Sequence, residues 1–142
     1  HLARFAAAMG QQFLFETGTE TAAELQQTIA DINEPNVGVN FDPANLLIYN
    51  NGDPAEIVDR LAEKIKVIHC KDANPPAADA VRGRETVLGE GSTNFAVLLK
   101  RLIDDGFTGP LIIERELPPG PEQEKDIKEA VALIKSIVKG DK

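Results

Sequence analysis

Two periodicities alternate along this chain. Short, mostly apolar runs at 12–16, 36–41, 65–70 and 110–114 have strand length and the two-residue alternation of strands. Between them the apolar positions fall every three or four residues, as on helices. Residues 1–9 (HLARFAAAM) form one such stretch, stopped by Gly10. Leu25, Ile29 and Ile32 mark a helix over 20–32, with Thr19 as its cap. Asp53-Pro54 opens the next, an N-cap followed by a first-turn proline, with Ile57, Val58, Leu61 and Ile65 along its stripe. Thr93 or Asn94 caps a helix carrying Phe95, Leu98, Leu99, Leu102 and Ile103, ended by Gly106. After a proline-rich turn at 117–121, Ile127, Ala130, Val131, Ile134 and Val138 define the last.

A strand and a helix in turn, four times over and with no hairpin signal between strands, predict parallel strands in βαβ units. Each strand ends near an acid or an imidazole: Glu16, Asp42, His69 and Glu114. The first two intervals between these residues are nearly equal, so a unit of about 30 residues recurs. The third interval is longer by an insertion rich in Pro, Ala and Gly over 72–92. It leaves the C-terminal end of a strand, where the active sites of α/β barrels are built, and is expected to cover a substrate.

Strand parity brings the four residues together. In VGVNFD the bulky Val37, Val39 and Phe41 share one face, and Gly38, Asn40 and Asp42 the other. Phe13 and Phe15 oppose Leu14 and Glu16, and Leu111 and Ile113 oppose Ile112 and Glu114. Ile65, Val67, His69 and Lys71 oppose Lys66, Ile68 and Cys70. With the bulky faces against the helices, all four strand-end residues point inward at one end of the sheet. Singly each has a plainer role. Glu16 would cap the following helix, Asp42 would form an Asx-turn or cap before Pro43, His69 would sit as a satisfied interior histidine, and Glu114 would pair with Arg115. Jointly they form the donor set of one divalent ion. Oxygen ligands with one imidazole suit Mn²⁺ or Mg²⁺ first, then Co²⁺ or Zn²⁺. Lys71 either neutralises a substrate oxyanion or pairs with Glu16 or Glu114. Glu90, bracketed by Gly89 and Gly91, either reaches the site or forms a turn. Asn40, on the inward face, joins Lys71 and Glu90 as a substrate-binding candidate.

Composition narrows the partners. The chain of 142 residues is one compact domain in size, with 42% hydrophobic and 27% charged residues. Fifteen basic against twenty-three acidic side chains give a net charge of −8, which opposes nucleic-acid binding. No apolar run approaches the roughly 18 residues of a membrane span, and no signal peptide is recognised. The single Cys70 excludes an internal disulfide and fits a reducing, cytoplasmic compartment. It faces the helices as a small buried hydrophobe. The first residue is His1 in a helical stretch, so a piece of a longer chain is expected.

The stretches LFETGTET, VGVNFDPANLL, VIHCKDA, VLGEGSTNF and GFTGPLIIERE resemble, in order, those of the sugar phosphate isomerase/epimerase family, the xylose-isomerase-like barrels. The resemblance implies a (β/α)₈ TIM barrel with one metal at its C-terminal mouth. A barrel of that kind needs about 250 residues, so four parallel βα units here imply its C-terminal half. Glu16, Asp42, His69 and Glu114 fall where that family holds its metal. Its chemistry is proton transfer beside a carbonyl through an enediolate, on a small sugar or sugar phosphate, with Glu16 and Glu114 as acid and base. Two open sheet edges would favour a homodimer or association with a missing half barrel. Two other classes compete. One is a non-catalytic, metal-binding half barrel. The other is a phosphodiesterase like the apurinic-site endonucleases, which share the barrel but use several metals and many histidines, against only His1 and His69 here.

Overall fold

The computed structural model describes residues 1–140. Four parallel strands, β1 (Phe13–Glu16), β2 (Val37–Phe41), β3 (Ile65–Cys70) and β6 (Leu111–Ile113), lie in the order β1-β2-β3-β6. The helices are α1 (Leu2–Ala8), α2 (Ala22–Ile32), α3 (Pro43–Ile48), α4 (Pro54–Leu61), α5 (Phe95–Asp104) and α6 (Pro121–Lys139), of which α2, α4, α5 and α6 cover one face of the sheet. This is the predicted set of parallel βα units, arranged as in part of a TIM barrel. The core lies between sheet and helices. Val37, Val39, Phe41, Ile68 and Cys70 meet Leu25, Ile29, Ile57, Val58, Leu99 and Leu102 there, all nearly inaccessible to solvent. The opposite, inner face stays open, and Ile112 is 45% exposed on it.

Local chemistry fixes where the helices begin. The cap of α2 is Thr21 rather than Thr19. Thr21 Oγ1 accepts from Glu24 N–H while the Glu24 carboxylate accepts from Thr21 N–H, a reciprocal box that Thr19 has no glutamate to complete. Asp53 caps α4 as expected, through Ala55 N–H. Asn94 stands at the start of α5 in the left-handed conformation (φ 57°) without a side-chain cap. Thr93 turns its hydroxyl away to Asp72 instead. On α6, Ala130 and Ile134 are buried, but Val138 is 52% exposed and contributes no core contact of the kind its spacing predicts.

Strict alternation fails once. Val39 pairs with Ile65, but Asn40 pairs with Val67, so β3 carries an extra residue at Lys66. The bulge turns Ile65 onto the helix-facing side, where it is buried in the core, while Val67 and His69 keep the inner face. Gly38 makes room for it, since a Cβ there would lie 2.7 Å from the Lys64 carbonyl oxygen.

The insertion is more than a loop. β4 (Asp72–Asn74) and β5 (Arg84–Thr86) form an antiparallel ribbon, the strand pair for which the sequence carries no hairpin signal. Nine residues separate the two strands, too many for a tight turn to announce them. Asp72 organises the segment. Its carboxylate accepts from Ala73, Gly89, Gly91 and Thr93 N–H groups and from the Thr93 hydroxyl, at 2.7–3.2 Å. A Cβ on Gly91 would stand 2.1 Å from that carboxylate, so the wrapping needs glycine.

Candidate metal centre

Glu16, Asp42, His69 and Glu114 come together at the C-terminal end of the sheet, with one ligand atom of each within 4.8 Å of the others. The type of each residue suits its strand. β2 and β3 are central and supply the short Asp42 and the rigid imidazole. β1 and β6 are the outer strands, about 14 Å apart in a flat sheet, and supply the long glutamates. Sheet curvature and side-chain length together close the gap.

Asp42 is fully buried and held from three directions. Its backbone N–H donates to Thr17 Oγ1 (2.8 Å), and the same hydroxyl donates to the Asp42 carbonyl (2.7 Å). Its Oδ1 accepts from Asn45 N–H at 3.0 Å and so caps α3, the helix that the sequence pattern did not reveal. One oxygen of Asp42 caps the helix, and the other is left free to serve as a candidate ligand atom. Among the described residues Oδ2 is buried without a hydrogen-bond partner, as is His69 Nδ1. From Nδ1 the carboxylates of Glu114, Glu16 and Asp42 lie at 3.3, 3.4 and 3.7 Å. Two orphaned buried atoms and two further carboxylates around one point are what a cation would satisfy. The donors are hard oxygens with one imidazole, which fits Mg²⁺ or Mn²⁺. The Asp42 carboxylate, outweighing burial and aided by Glu114 and Glu16, raises the His69 pKa above its ordinary value.

The other expected residues fall differently. Lys71 is 2% exposed, with Nζ 3.3 Å from Glu114 and 3.8 Å from Asp42 and also bonded to Glu116. Burial alone would lower its pKa, but the Glu116 hydrogen bond and the charges of Asp42, Glu114 and Glu116 raise it. The ammonium is therefore held charged against the site's rim. Asn40 Nδ2 meets His69 Nε2 at 3.0 Å. Glu90 is exposed on the turn that wraps Asp72, its N–H bonded to the Val87 carbonyl. Arg115 does not pair with Glu114; it is held by Glu85 (2.9 Å) and Asp126 (2.8 Å), tying the ribbon to α6. Four residues that sequence reasoning passed over support the site: Thr17, Asn45, Asp72 and Glu116. Asn45 Nδ2 donates to Glu16 Oε1 at 3.2 Å, and its place three residues after Asp42 is the one available clue.

Residues 1–137 match the model of the xylose isomerase-like TIM barrel family. The chain belongs to that family. It is similar to an inosose dehydratase of Clostridium botulinum (strain Eklund 17B / Type B), with 30% identity over 115 residues, 72% of this chain and 38% of the relative. A solved xylose isomerase domain protein from Planctomyces limnophilus is 40% identical, with a TM-score of 0.91 over 98% of this chain and 51% of that one. A xylose isomerase-like TIM barrel protein from Mycobacterium smegmatis, solved in complex with magnesium, shares the fold at 20% identity and a TM-score of 0.75, over 96% of this chain and 48% of that one. The chain thus spans about half the length of these solved relatives and less of the curated one.

Proposed function

We propose that this chain is part of a divalent-metal-dependent enzyme that transfers a proton at a carbon beside a carbonyl, isomerising or epimerising a sugar or sugar phosphate. The observation that carries this is the pair of orphaned buried atoms, Asp42 Oδ2 and His69 Nδ1, facing the Glu16 and Glu114 carboxylates. Mn²⁺ or Mg²⁺ held there by Glu16, Asp42, His69 and Glu114 would act as a Lewis acid toward the carbonyl and adjacent hydroxyl of the substrate. The magnesium bound by the Mycobacterium smegmatis protein favours the same class of ion. Glu16 and Glu114 approach from the two outer strands, so one removes the proton and the other returns it on the opposite face. Lys71, fixed between Glu114 and Glu116, offers an ammonium to the negative charge that develops on oxygen. The β4–β5 ribbon, tied down through Asp72 and Arg115, forms one wall of the mouth.

The inosose dehydratases among the relatives favour a second reading of the same site. Dehydration begins with the same proton removal and continues by expelling a hydroxide from the next carbon, which the charged Lys71 would assist by donating a proton. The substrate pocket is completed beyond this chain, by another half barrel or a second copy paired along the β1 and β6 edges. Incubation with Mn²⁺ in D₂O with a panel of ketoses and their phosphates tests the proton transfer. Deuterium entering beside the carbonyl, with or without loss of water, supports it. An Mn²⁺-loaded, edge-paired assembly that exchanges no proton on any of them favours a non-catalytic half barrel instead.

A further inference from the structure

His69 has two ring nitrogens and both are committed. Nδ1 faces the three carboxylates, while Nε2 lies 3.0 Å from the Asn40 carboxamide. In a neutral ring only one nitrogen carries a proton. With the Asn40 N–H donating to Nε2, the ring proton must sit on Nδ1, where it blocks coordination. The Asn40 oxygen is meanwhile buried without a hydrogen-bond partner among the described residues. A half-turn of the carboxamide exchanges two groups of nearly equal size and reverses the bond. Oδ1 then accepts from Nε2–H, and Nδ1 presents a bare lone pair to the ring of carboxylates.

We infer that Asn40 is a positioning residue, holding His69 in the Nε2–H tautomer through its carboxamide oxygen so that Nδ1 is the ligand atom. The inference rests on the metal centre proposed above and moves Asn40 from the substrate to the imidazole. The topology suits the role. Asn40 pairs with Val67, two residues before His69 on the same face of β3, so it reaches Nε2 from within the sheet while Nδ1 points to the mouth. The neighbouring Asn45 treats Glu16 similarly, so one segment from 40 to 45 orients three of the four ligands. Partners of this kind typically change metal affinity by about 10- to 100-fold.

The test pairs calorimetry with NMR. Mn²⁺ is titrated into wild type and Asn40→Leu, and the side-chain ¹⁵N signals of His69 are recorded in wild type with Mg²⁺. The expected results are affinity about 10- to 100-fold weaker in Asn40→Leu and, in wild type, a proton on Nε2 with none on Nδ1. Unchanged affinity in a folded Asn40→Leu, or a proton on Nδ1 in the Mg²⁺-loaded wild type, overturns the inference while leaving the metal centre standing. A wild type that binds no Mn²⁺ overturns the metal centre and this inference with it. If Asn40→Leu does not fold, the wild-type tautomer decides alone.

Discussion

His69 Nδ1 and Asp42 Oδ2 stand 3.7 Å apart, both buried and neither hydrogen-bonded among the described residues. The separation is too long for a direct hydrogen bond and suits two ligands of one ion, each at about 2.0–2.6 Å from it. Removing His69 or Glu114, neither of which caps a helix as Asp42 does, should cost metal affinity rather than fold. His69→Ala and Glu114→Gln are expected to weaken Mn²⁺ binding by at least tenfold in calorimetry, with melting temperatures of the metal-free forms close to wild type. Unchanged affinity in both would dismiss the assignment.

Metal should stabilise the chain by mass action. At a hundredfold excess over Kd the gain is about 2.7 kcal/mol, so the melting temperature should rise by roughly 5–10 °C. A thermal scan with Mn²⁺ and then with EDTA checks this, and the shift should reverse.

The pH dependence has two opposite signs. Without metal, folded His69 holds its proton more tightly than the unfolded chain, because the Asp42 carboxylate, then Glu114 and Glu16, outweigh burial. That contribution to stability is full below the unfolded pKa and is lost as pH rises through the folded one. Metal requires a bare Nδ1, so Mn²⁺ affinity should rise over the same interval. Calorimetry at several pH values and buffer ionisation heats would detect the released proton.

Cys70 tests the core behind the site. Burial pushes its pKa up to about 12 from 9.0. The native thiol should therefore resist a disulfide reagent at pH 8 and react only on unfolding. Because the folded pKa is the higher one, stability should fall as pH rises from about 9 through about 12. Rapid native labelling would contradict this packing.

Asp72→Ala deprives four backbone N–H groups and one hydroxyl of their acceptor. Hydrogen bonds to a charge contribute roughly 1.5–3 kcal/mol each. A loss of at least about 3 kcal/mol is expected in denaturant unfolding, together with new proteolytic cuts between β4 and α5.

The strands, most of the helices and the clustering of the four strand-end residues were legible because burial imposes a period on the chain. Alternation put Asp42 opposite Phe41, and the recurring unit aligned it with Glu16, His69 and Glu114. What was hidden lacked a period. The Lys66 bulge inverts Ile65 without leaving a mark in the hydrophobic pattern, and β4 and β5 are three residues each, too short to alternate visibly. α3 escaped because Asp42, its cap, reads first as a candidate ligand. The supporting contacts of Thr17, Asn45 and Glu116 join residues far apart in sequence or within loops, where only the folded geometry pairs them.

The most direct test of the metal centre is a crystal grown with Mn²⁺ and measured at the manganese absorption edge. One anomalous peak is expected at about 2.0–2.4 Å from Glu16, Asp42, His69 Nδ1 and Glu114. Ordered side chains around that point with no peak, or a peak bound elsewhere, would contradict it.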